Sequence, residues 1–399
     1  MVATPSLRIR TRTRIRNRIR IGVAGMGAAG QAFVPALRAH AGFEWVAFAE
    51  PDSDLRQRLQ AAHGVAAYAD VPDLLAHPGL DALIVATPTP LHAQQVLQAA
   101  AAGRHVLVEK PMAIALAEAQ AMVAAAEQAG VVLLVGHSHS YDAPIARMRE
   151  LIVGGELGRV GMVHTWCFSD WVQRPRRADE LDSEQGGGVT YRQGAHQFDI
   201  LRLLCGGRAR SVRAKTFDWN PGRRVTGAHT VFIDFDDGPA ATAVYNGYGG
   251  FSSMDLCFDV SEWGLHQPPD ARPRAVPAAT PQAELQAKQA RAGGAIATAA
   301  PHPPMFGLTL VSCERGDIRQ SASGLQVHTA AGMREVAVGT HRSPRERVLD
   351  ELHAAITGQE LALHDGRWGL ANLELCVAAI ESSRSRREVR LRHQVPVPG

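Results

Sequence analysis

Residues 83–112 read LIVATPTPLHAQQVLQAAAAGRHVLVEKPM, and this stretch decides the fold. Leu83 to Ala86 is a short apolar run, the pattern of a strand buried on both faces of a parallel sheet. Thr87-Pro88-Thr89-Pro90 stops it, because proline lacks the N–H that a strand ladder needs. His92 to Ala102 are strong helix formers closed by Gly103, and His105 to Val108 is a second buried strand. Glu109-Lys110-Pro111 then falls at that strand's carboxyl end, where open α/β sheets bind ligands. Lys110 is one of three lysines in the chain, with Lys215 and Lys288; the other cations are arginine. A lysine sheds its proton when its surroundings lower its pKa, whereas an arginine effectively does not. Lys110 is therefore a candidate for proton chemistry.

Upstream, Arg20 to Ala24 reads as the first strand of the same sheet. Gly25-Met26-Gly27-Ala28-Ala29-Gly30 follows, and Gln31 to Ala41 reads as a helix. This is G-x-G-x-x-G in the strand–turn–helix setting that binds dinucleotides. Gly25 permits the tight turn, and Gly27 lets backbone approach a pyrophosphate. Gly30 lets helix and strand pack closely, and the N–H groups from Ala28 and Ala29 onward face the phosphates. Glu44 to Ala49 is the second strand and ends in Glu50. An acidic residue there hydrogen-bonds a ribose 2′-hydroxyl and repels a 2′-phosphate, and Glu50-Pro51-Asp52 holds no arginine. The expected cofactor is NAD rather than NADP.

Composition bounds the rest. The chain has 399 residues, enough for two domains, with 46% hydrophobic and 20% charged residues. The formal net charge of +3 misleads, because Arg8, Arg10, Arg12, Arg14, Arg16, Arg18 and Arg20 alternate along one short segment. Without them the balance is acidic, so the body is not expected to bind nucleic acid. Residues 1–19 read as a basic, disordered extension. Five dispersed cysteines with no CxxC pair argue for reduced thiols and against a zinc site, so no metal is expected. No apolar run reaches membrane-spanning length and no signal peptide is visible, which points to a cytoplasmic protein with no membrane partner.

The alternating β/α pattern runs to about residue 150, giving a dinucleotide-binding domain over 20–150. His137, Ser138, His139, Ser140 and Tyr141 lie just past its strand at Val131 to Val135, placed to line a pocket. Beyond it, Val160 to Phe168, Ser211 to Trp219, His229 to Phe235, Ala240 to Tyr245 and Met254 to Val260 read as longer strands with partial alternation. That is the pattern of an antiparallel sheet with one covered face. Gly186-Gly187-Gly188 leads into a helix over Gln193 to Leu204 that carries His196 and Asp199. Residues 267–304, rich in Pro, Ala and Gln, read as a mobile loop. Four short strands and two helices then complete a second domain over 151–395. The fold class is α/β, a doubly wound parallel sheet followed by an α/β domain with a large, mostly antiparallel open sheet.

Gly25-x-Gly27-x-x-Gly30, Glu50, Ala86-Thr87-Pro88-x-x-x-His92, Glu109-Lys110-Pro111 and Gly186-Gly187-Gly188 with Gly194-x-His196-x-x-Asp199 together resemble the glucose-fructose oxidoreductase / inositol dehydrogenase / MocA family. The resemblance covers about residues 20–395. It implies hydride exchange with a nicotinamide, Lys110 and His196 as the catalytic pair, and Thr87, Pro88, His92, Glu109 and Lys110 along the cofactor. It also implies a homodimer or homotetramer built through the C-terminal sheet. One departure matters: sugar and inositol members carry an aspartate four residues before the histidine, and here that position is Arg192. With Arg174-Pro175-Arg176-Arg177 nearby, the chain is similar to the phthalate cis-dihydrodiol dehydrogenase branch.

That branch oxidises one ring carbinol to a ketone, which enolises to an aromatic diol, here 4,5-dihydroxyphthalate. Either Lys110 or His196 is the base for the hydroxyl proton. Arg192, Arg174 and Arg177 are expected to hold an anionic substrate's carboxylates, with His137 and His139 beside them. A cation at Arg192 would also lower the pKa of His196. Asp199 either orients the imidazole or packs the helix. Competing readings are a dehydrogenase of a sugar, inositol or sugar acid, and an NAD-bound regulatory protein without turnover.

Overall fold

The computed structural model describes residues 18–236, 238–272, 276–292, 300–339 and 342–398. Apart from Arg18 and Ile19, the expected basic extension lies outside the described residues.

The first sheet has six parallel strands: β1 (Ile19–Ala24), β2 (Phe43–Ala49), β3 (Ala66–Tyr68), β4 (Ala82–Val85), β5 (His105–Val108) and β6 (Leu133–Val135). Their order is β3-β2-β1-β4-β5-β6, so the strand order reverses between β1 and β4. That reversal is the crevice in which doubly wound sheets bind nucleotides. Every residue of β4, β5 and β6 is buried, as continuous apolar runs with helices on both faces require.

The second sheet has nine strands: β7 (Val160–Phe168), β8 (Ala209–Phe217), β9 (Ala228–Phe235), β10 (Ala240–Asn246), β11 (Leu308–Cys313), β12 (Gly316–Ser321), β13 (Gly324–Thr329), β14 (Gly332–Ala337) and β15 (Val389–Arg390). The order is β14-β13-β12-β11-β7-β10-β9-β8-β15, antiparallel except where β7 and β10 run parallel at the centre. Alternation along β9 and β10 buries Val231, Ile233, Ala241 and Ala243. The opposite face leaves Met162, Trp166 and Phe232 exposed.

Two helices, Gly194–Leu204 and Gly366–Ser385, lie between the domains. Arg202 locks them together. Its fully buried guanidinium stacks 3.7 Å over Trp368 and donates to the carbonyls of Gly207 at 3.2 Å and Trp368 at 2.9 Å. The helix that carries His196 therefore has a fixed position relative to the cofactor-binding sheet.

Two segments differ from the sequence expectation. Met254 to Val260 is not a strand but a 3₁₀ turn over Ser253–Leu256 followed by tight turns. Ser252 caps the turn, and Phe258 and Asp259 take φ of 59° and 58°, a conformation no strand contains. Within residues 267–304, expected to be a loop, lies the helix Pro281–Ala292. Charge holds it in place. Glu284 is buried against Arg223 and accepts from the Arg176 N–H at 2.5 Å, and Lys288 pairs with Glu180. Apolar periodicity could not reveal a helix docked through ion pairs.

Candidate functional site

The glycine turn leaves β1 with Gly25 at φ +84°, where a Cβ would stand 2.9 Å from the Ala86 carbonyl and from the Thr87 nitrogen. A Cβ on Gly30 would come within 2.0 Å of the Gly25 oxygen, so only glycine lets the helix Ala28–Ala39 start this close to the strand. At Gly27 a Cβ would meet nothing within 4 Å, and no side chain caps this helix. Exposed backbone and unpaired N–H groups at Gly27, Ala28 and Ala29 form an open cradle that fits a pyrophosphate. The Glu50 carboxylate stands beside it, buried, accepting from the Met26 N–H at 2.9 Å and the Asp52 N–H at 3.1 Å. Sequence reading overlooked Arg56, one helical turn further on, which donates to the Glu50 carbonyl at 2.7 Å.

Across the crevice, Thr87 and Pro88 are partly exposed at the end of β4. His92, expected along the cofactor, is instead buried with both ring nitrogens engaged by carbonyls, Thr87 at 2.9 Å and Pro111 at 3.0 Å. It clamps the loop after β4 to the loop after β5, and no ring nitrogen is left for a ligand. Glu109 is likewise committed to protein: it is ion-paired with Arg345, from a helix over Pro344–Thr357, and accepts from the Lys110 N–H at 3.2 Å. The Arg345 guanidinium also lies 4.4 Å over Phe33. Lys110 sends its ammonium across the domain boundary to the Arg192 carbonyl at 3.0 Å. Burial pulls the Lys110 pKa down to about 8; the Arg192 and Arg345 charges add to this and Glu109 opposes it.

Arg192 itself departs from expectation. Its guanidinium points into the protein, with Nε on the Gly186 carbonyl at 3.1 Å, Nη1 on Thr89 Oγ1 at 2.9 Å and Nη2 on Asp179 at 3.0 Å. It bridges the domains instead of facing a ligand. The Arg174 to Arg177 cluster is neutralised in the same way. Arg177 grips Asp179 with two bonds of 2.8 Å, Arg174 meets Asp170 at 2.5 Å, and Arg176 stacks 4.0 Å over Trp171. Acidic residues only two to four positions away cancel a cluster that looks exposed in sequence.

His196 is buried, with Nδ1 lacking a hydrogen-bond partner among the described residues. Its pKa lies well below the ordinary imidazole value because of burial first and then the Lys110 charge, so the ring is neutral. Arg192 is not the cause. The His139 ring meets it edge-on at 4.4 Å and stacks on Phe306 at 4.4 Å. His139 Nδ1 is 2.8 Å from Asp142, and both residues line a cavity of about 670 Å³ that reaches Trp263, His302 and Arg345. His137 lies beside Asn372 and, like Lys110 and His196, is not among the residues that line that cavity. Asp199 does not orient His196. It accepts from the Trp368 indole at 2.7 Å and lies 3.5 Å from His364. Burial alone would lower the His364 pKa, but Glu351, 2.9 Å away, and Asp199 outweigh it and push it up to about 10. Sequence reading missed this buried imidazolium and Arg345 alike, since nothing local marks either one. Among the described residues no group of three or more His, Cys, Asp or Glu is placed to hold a metal ion. Nor, among them, is any helix long and apolar enough to cross a membrane.

Two family models match the chain: an oxidoreductase family with an NAD-binding Rossmann fold over residues 19–137, and the GFO/IDH/MocA C-terminal domain over residues 145–255. A 1-carboxy-3-chloro-3,4-dihydroxycyclohexa-1,5-diene dehydrogenase of Comamonas testosteroni is 38% identical over 310 residues, 75% of this chain and 78% of that protein. A solved structure of a Bordetella bronchiseptica RB50 protein, described as a dehydrogenase, superposes with a TM-score of 0.86 at 35% identity, covering 94% of this chain and all of that one. The WlbA dehydrogenase of Bordetella pertussis, solved with NADH and UDP-GlcNAcA, shares the fold at a TM-score of 0.70 and 22% identity, covering 94% of this chain and 99% of that one.

Because Arg192 braces the domains, Arg192→Ala is expected to lower kcat/KM about equally for carboxylated and neutral substrates and to lower the Tm. A loss confined to carboxylated substrates, with an unchanged Tm, would restore Arg192 as an anion receptor.

Proposed function

The chain belongs to the GFO/IDH/MocA family of oxidoreductases and is a dehydrogenase with an NAD-binding Rossmann domain, and on that premise we propose that it oxidises a cis-dihydrodiol of an aromatic carboxylate, such as phthalate 4,5-cis-dihydrodiol, to the corresponding dihydroxy aromatic. The observation that carries this reading is the relative named for a carboxylated dihydroxycyclohexadiene, similar over three quarters of the chain. The residues suit the chemistry. Bound in the glycine cradle, NAD⁺ supplies the two-electron acceptor. Lys110, neutral above about pH 8, accepts the hydroxyl proton of the substrate carbinol. Neutral His196 donates or accepts a hydrogen bond at the same oxygen, and its depressed pKa makes it the weaker base of the two. The Arg192 carbonyl holds the Lys110 ammonium in place until a substrate hydroxyl replaces it.

NAD is the proposed cofactor in preference to NADP. Glu50, pinned by the Met26 and Asp52 N–H groups, is placed to accept from a ribose 2′-hydroxyl and to repel a 2′-phosphate. A cytoplasmic location is proposed from the unpaired, dispersed thiols. The exposed Met162, Trp166 and Phe232 support a homo-oligomer formed through this face of the second sheet.

Three measurements test these statements. Wild-type enzyme with NAD⁺ and a panel of carboxylated cis-dihydrodiols, neutral dihydrodiols, inositol and common sugars should form NADH fastest with the carboxylated dihydrodiols, and kcat/KM should rise with pH to a plateau above about 8. Faster turnover of a neutral polyol would refute the substrate assignment, and a limb that persists in Lys110→Met would refute the base. Competing titrations should show tighter binding of NAD⁺ than NADP⁺, with Glu50→Ser narrowing the gap as Arg56 meets the 2′-phosphate; an unchanged gap would remove Glu50 from the selection. Sedimentation equilibrium should give a dimer or tetramer that Trp166→Asp dissociates, and a monomeric wild type would end the oligomer proposal.

A further inference from the structure

Oxidation of an alcohol needs one proton-handling group at the hydroxyl, and Lys110 with His196 supplies it. Oxidation of a dihydrodiol to an aromatic diol needs another. After the first carbinol becomes a ketone, the neighbouring carbinol carbon must lose its hydrogen as a proton before the ring becomes aromatic. This requirement goes with the substrate reading above, and the inference rests on that reading. In a cis-diol both carbinol hydrogens lie on one face of the ring. The face that presents the first hydrogen to the nicotinamide therefore also presents the second, so its base must stand on the cofactor's side of the site.

A candidate for this group packs against His196. His139 and Asp142 follow β6 and belong to the cofactor-binding sheet, whereas His196 comes from the second domain. Asp142 is 1% exposed and lies 2.8 Å from His139 Nδ1. This contact sets the tautomer: the N–H sits on Nδ1 and the lone pair on Nε2. Nε2 makes no hydrogen bond among the described residues, and the ring lines the cavity of about 670 Å³. Phe306 on one side and His196 on the other fix the plane of the ring. The imidazole is thus oriented, with Nε2 free of hydrogen bonds among the described residues.

We propose that His139, positioned by Asp142, is the base that removes the second carbinol proton and drives aromatisation. The steps balance. First, the substrate hydroxyl proton passes to Lys110 while the adjacent C–H leaves as hydride, which NAD⁺ accepts, and a hydroxydienone is left. Then the proton on the neighbouring carbon passes to His139 Nε2. The electron pair of that C–H bond becomes a ring double bond, and the carbonyl π pair moves to oxygen, which takes back the proton held by Lys110. The products are the aromatic diol, NADH and a protonated His139, which discharges one proton to solvent through the cavity.

His139→Asn keeps a donor for Asp142 but has no basic nitrogen, and Asp142→Ala removes the carboxylate that holds the N–H on Nδ1. In stopped flow with a carboxylated cis-dihydrodiol and NAD⁺, wild-type enzyme should form NADH and aromatic absorbance together. In both variants aromatic product formation should be slowed by about 10²-fold beyond any change in the NADH burst, so that the product lags behind NADH. Deuterium at the second carbinol carbon should lengthen that lag. A separate arm needs no nucleotide: in D₂O the wild type should exchange the carbinol hydrogen of 2-hydroxycyclohexanone, seen by NMR, and both variants should not. Simultaneous NADH and aromatic signals in both variants, or exchange equal to wild type, would overturn the assignment. If the wild type oxidises no carboxylated dihydrodiol, the substrate reading fails and the exchange arm alone decides on His139: exchange that depends on it upholds the base, and background exchange in the wild type removes it.

Discussion

The hydrogen bond from the Lys110 ammonium to the Arg192 carbonyl joins the end of the cofactor-binding sheet to the segment that leads into the His196 helix. The rest of the site is arranged around keeping that bond possible. A buried ammonium is costly unless its hydrogen bonds and charge are met. Here a carbonyl accepts, Glu109 sits beside it, and Arg345 restrains Glu109 in turn. Arg192, whose carbonyl is the acceptor, is held by side-chain contacts to both domains, at Thr89 and Asp179. The proton-handling lysine thus takes its position from backbone that the arginine side chain locks.

The electrostatics follow from this. Arg174 and Arg177, which look free in sequence, pair with Asp170 and Asp179, while Arg192 and Arg345 reach across to Thr89 and Glu109 around the labile charge of Lys110. Its pKa of about 8 comes from burial among arginines that cannot give up a proton. Behind His196, the His364 imidazolium between Glu351 and Asp199 forms a second charged knot, closed by Ser140 at 2.8 Å and by the Tyr141 hydroxyl on Glu351. That knot makes the backing of the catalytic histidines rigid. The Nδ1 atoms of His137 and His196 remain buried and unpartnered beside it, the kind of atom that an internal water satisfies.

The two domains divide the work by sheet type. The parallel sheet presents loop ends and helix N-termini at one edge, which suits a cofactor with two phosphates. The antiparallel sheet, buried on one face only, gives a broad wall on which the Gly194–Leu204 helix lies. Gln197 fastens that helix, donating to the Val244 carbonyl at 3.0 Å and accepting from His229 at 2.9 Å. Histidines from both domains, His139 and His196, meet where the wall faces the crevice.

By itself the sequence determined whatever depends on neighbours within a few residues. The apolar runs at Leu83 to Ala86 and His105 to Val108 read as buried parallel strands, and the three glycines between a strand and a helix as a dinucleotide-binding turn. Lys110 stood out because the chain otherwise avoids lysine. Tertiary structure decided the partners of charges that meet across the fold. Arg192 looked like an anion receptor until Thr89 and Asp179 took its nitrogens, and His92 looked like a ligand until two carbonyls enclosed it. Arg345, 236 residues from Glu109, and His364, 224 residues from Ser140, carry no local signal at all. Whether Asp199 serves His196 or His364 is likewise invisible in a helix read alone. Burial sets how strongly charges interact and pairing sets which of them remain available, and both are properties of the packed chain. Periodicity records which face of an element is buried, not which distant residue it is buried against.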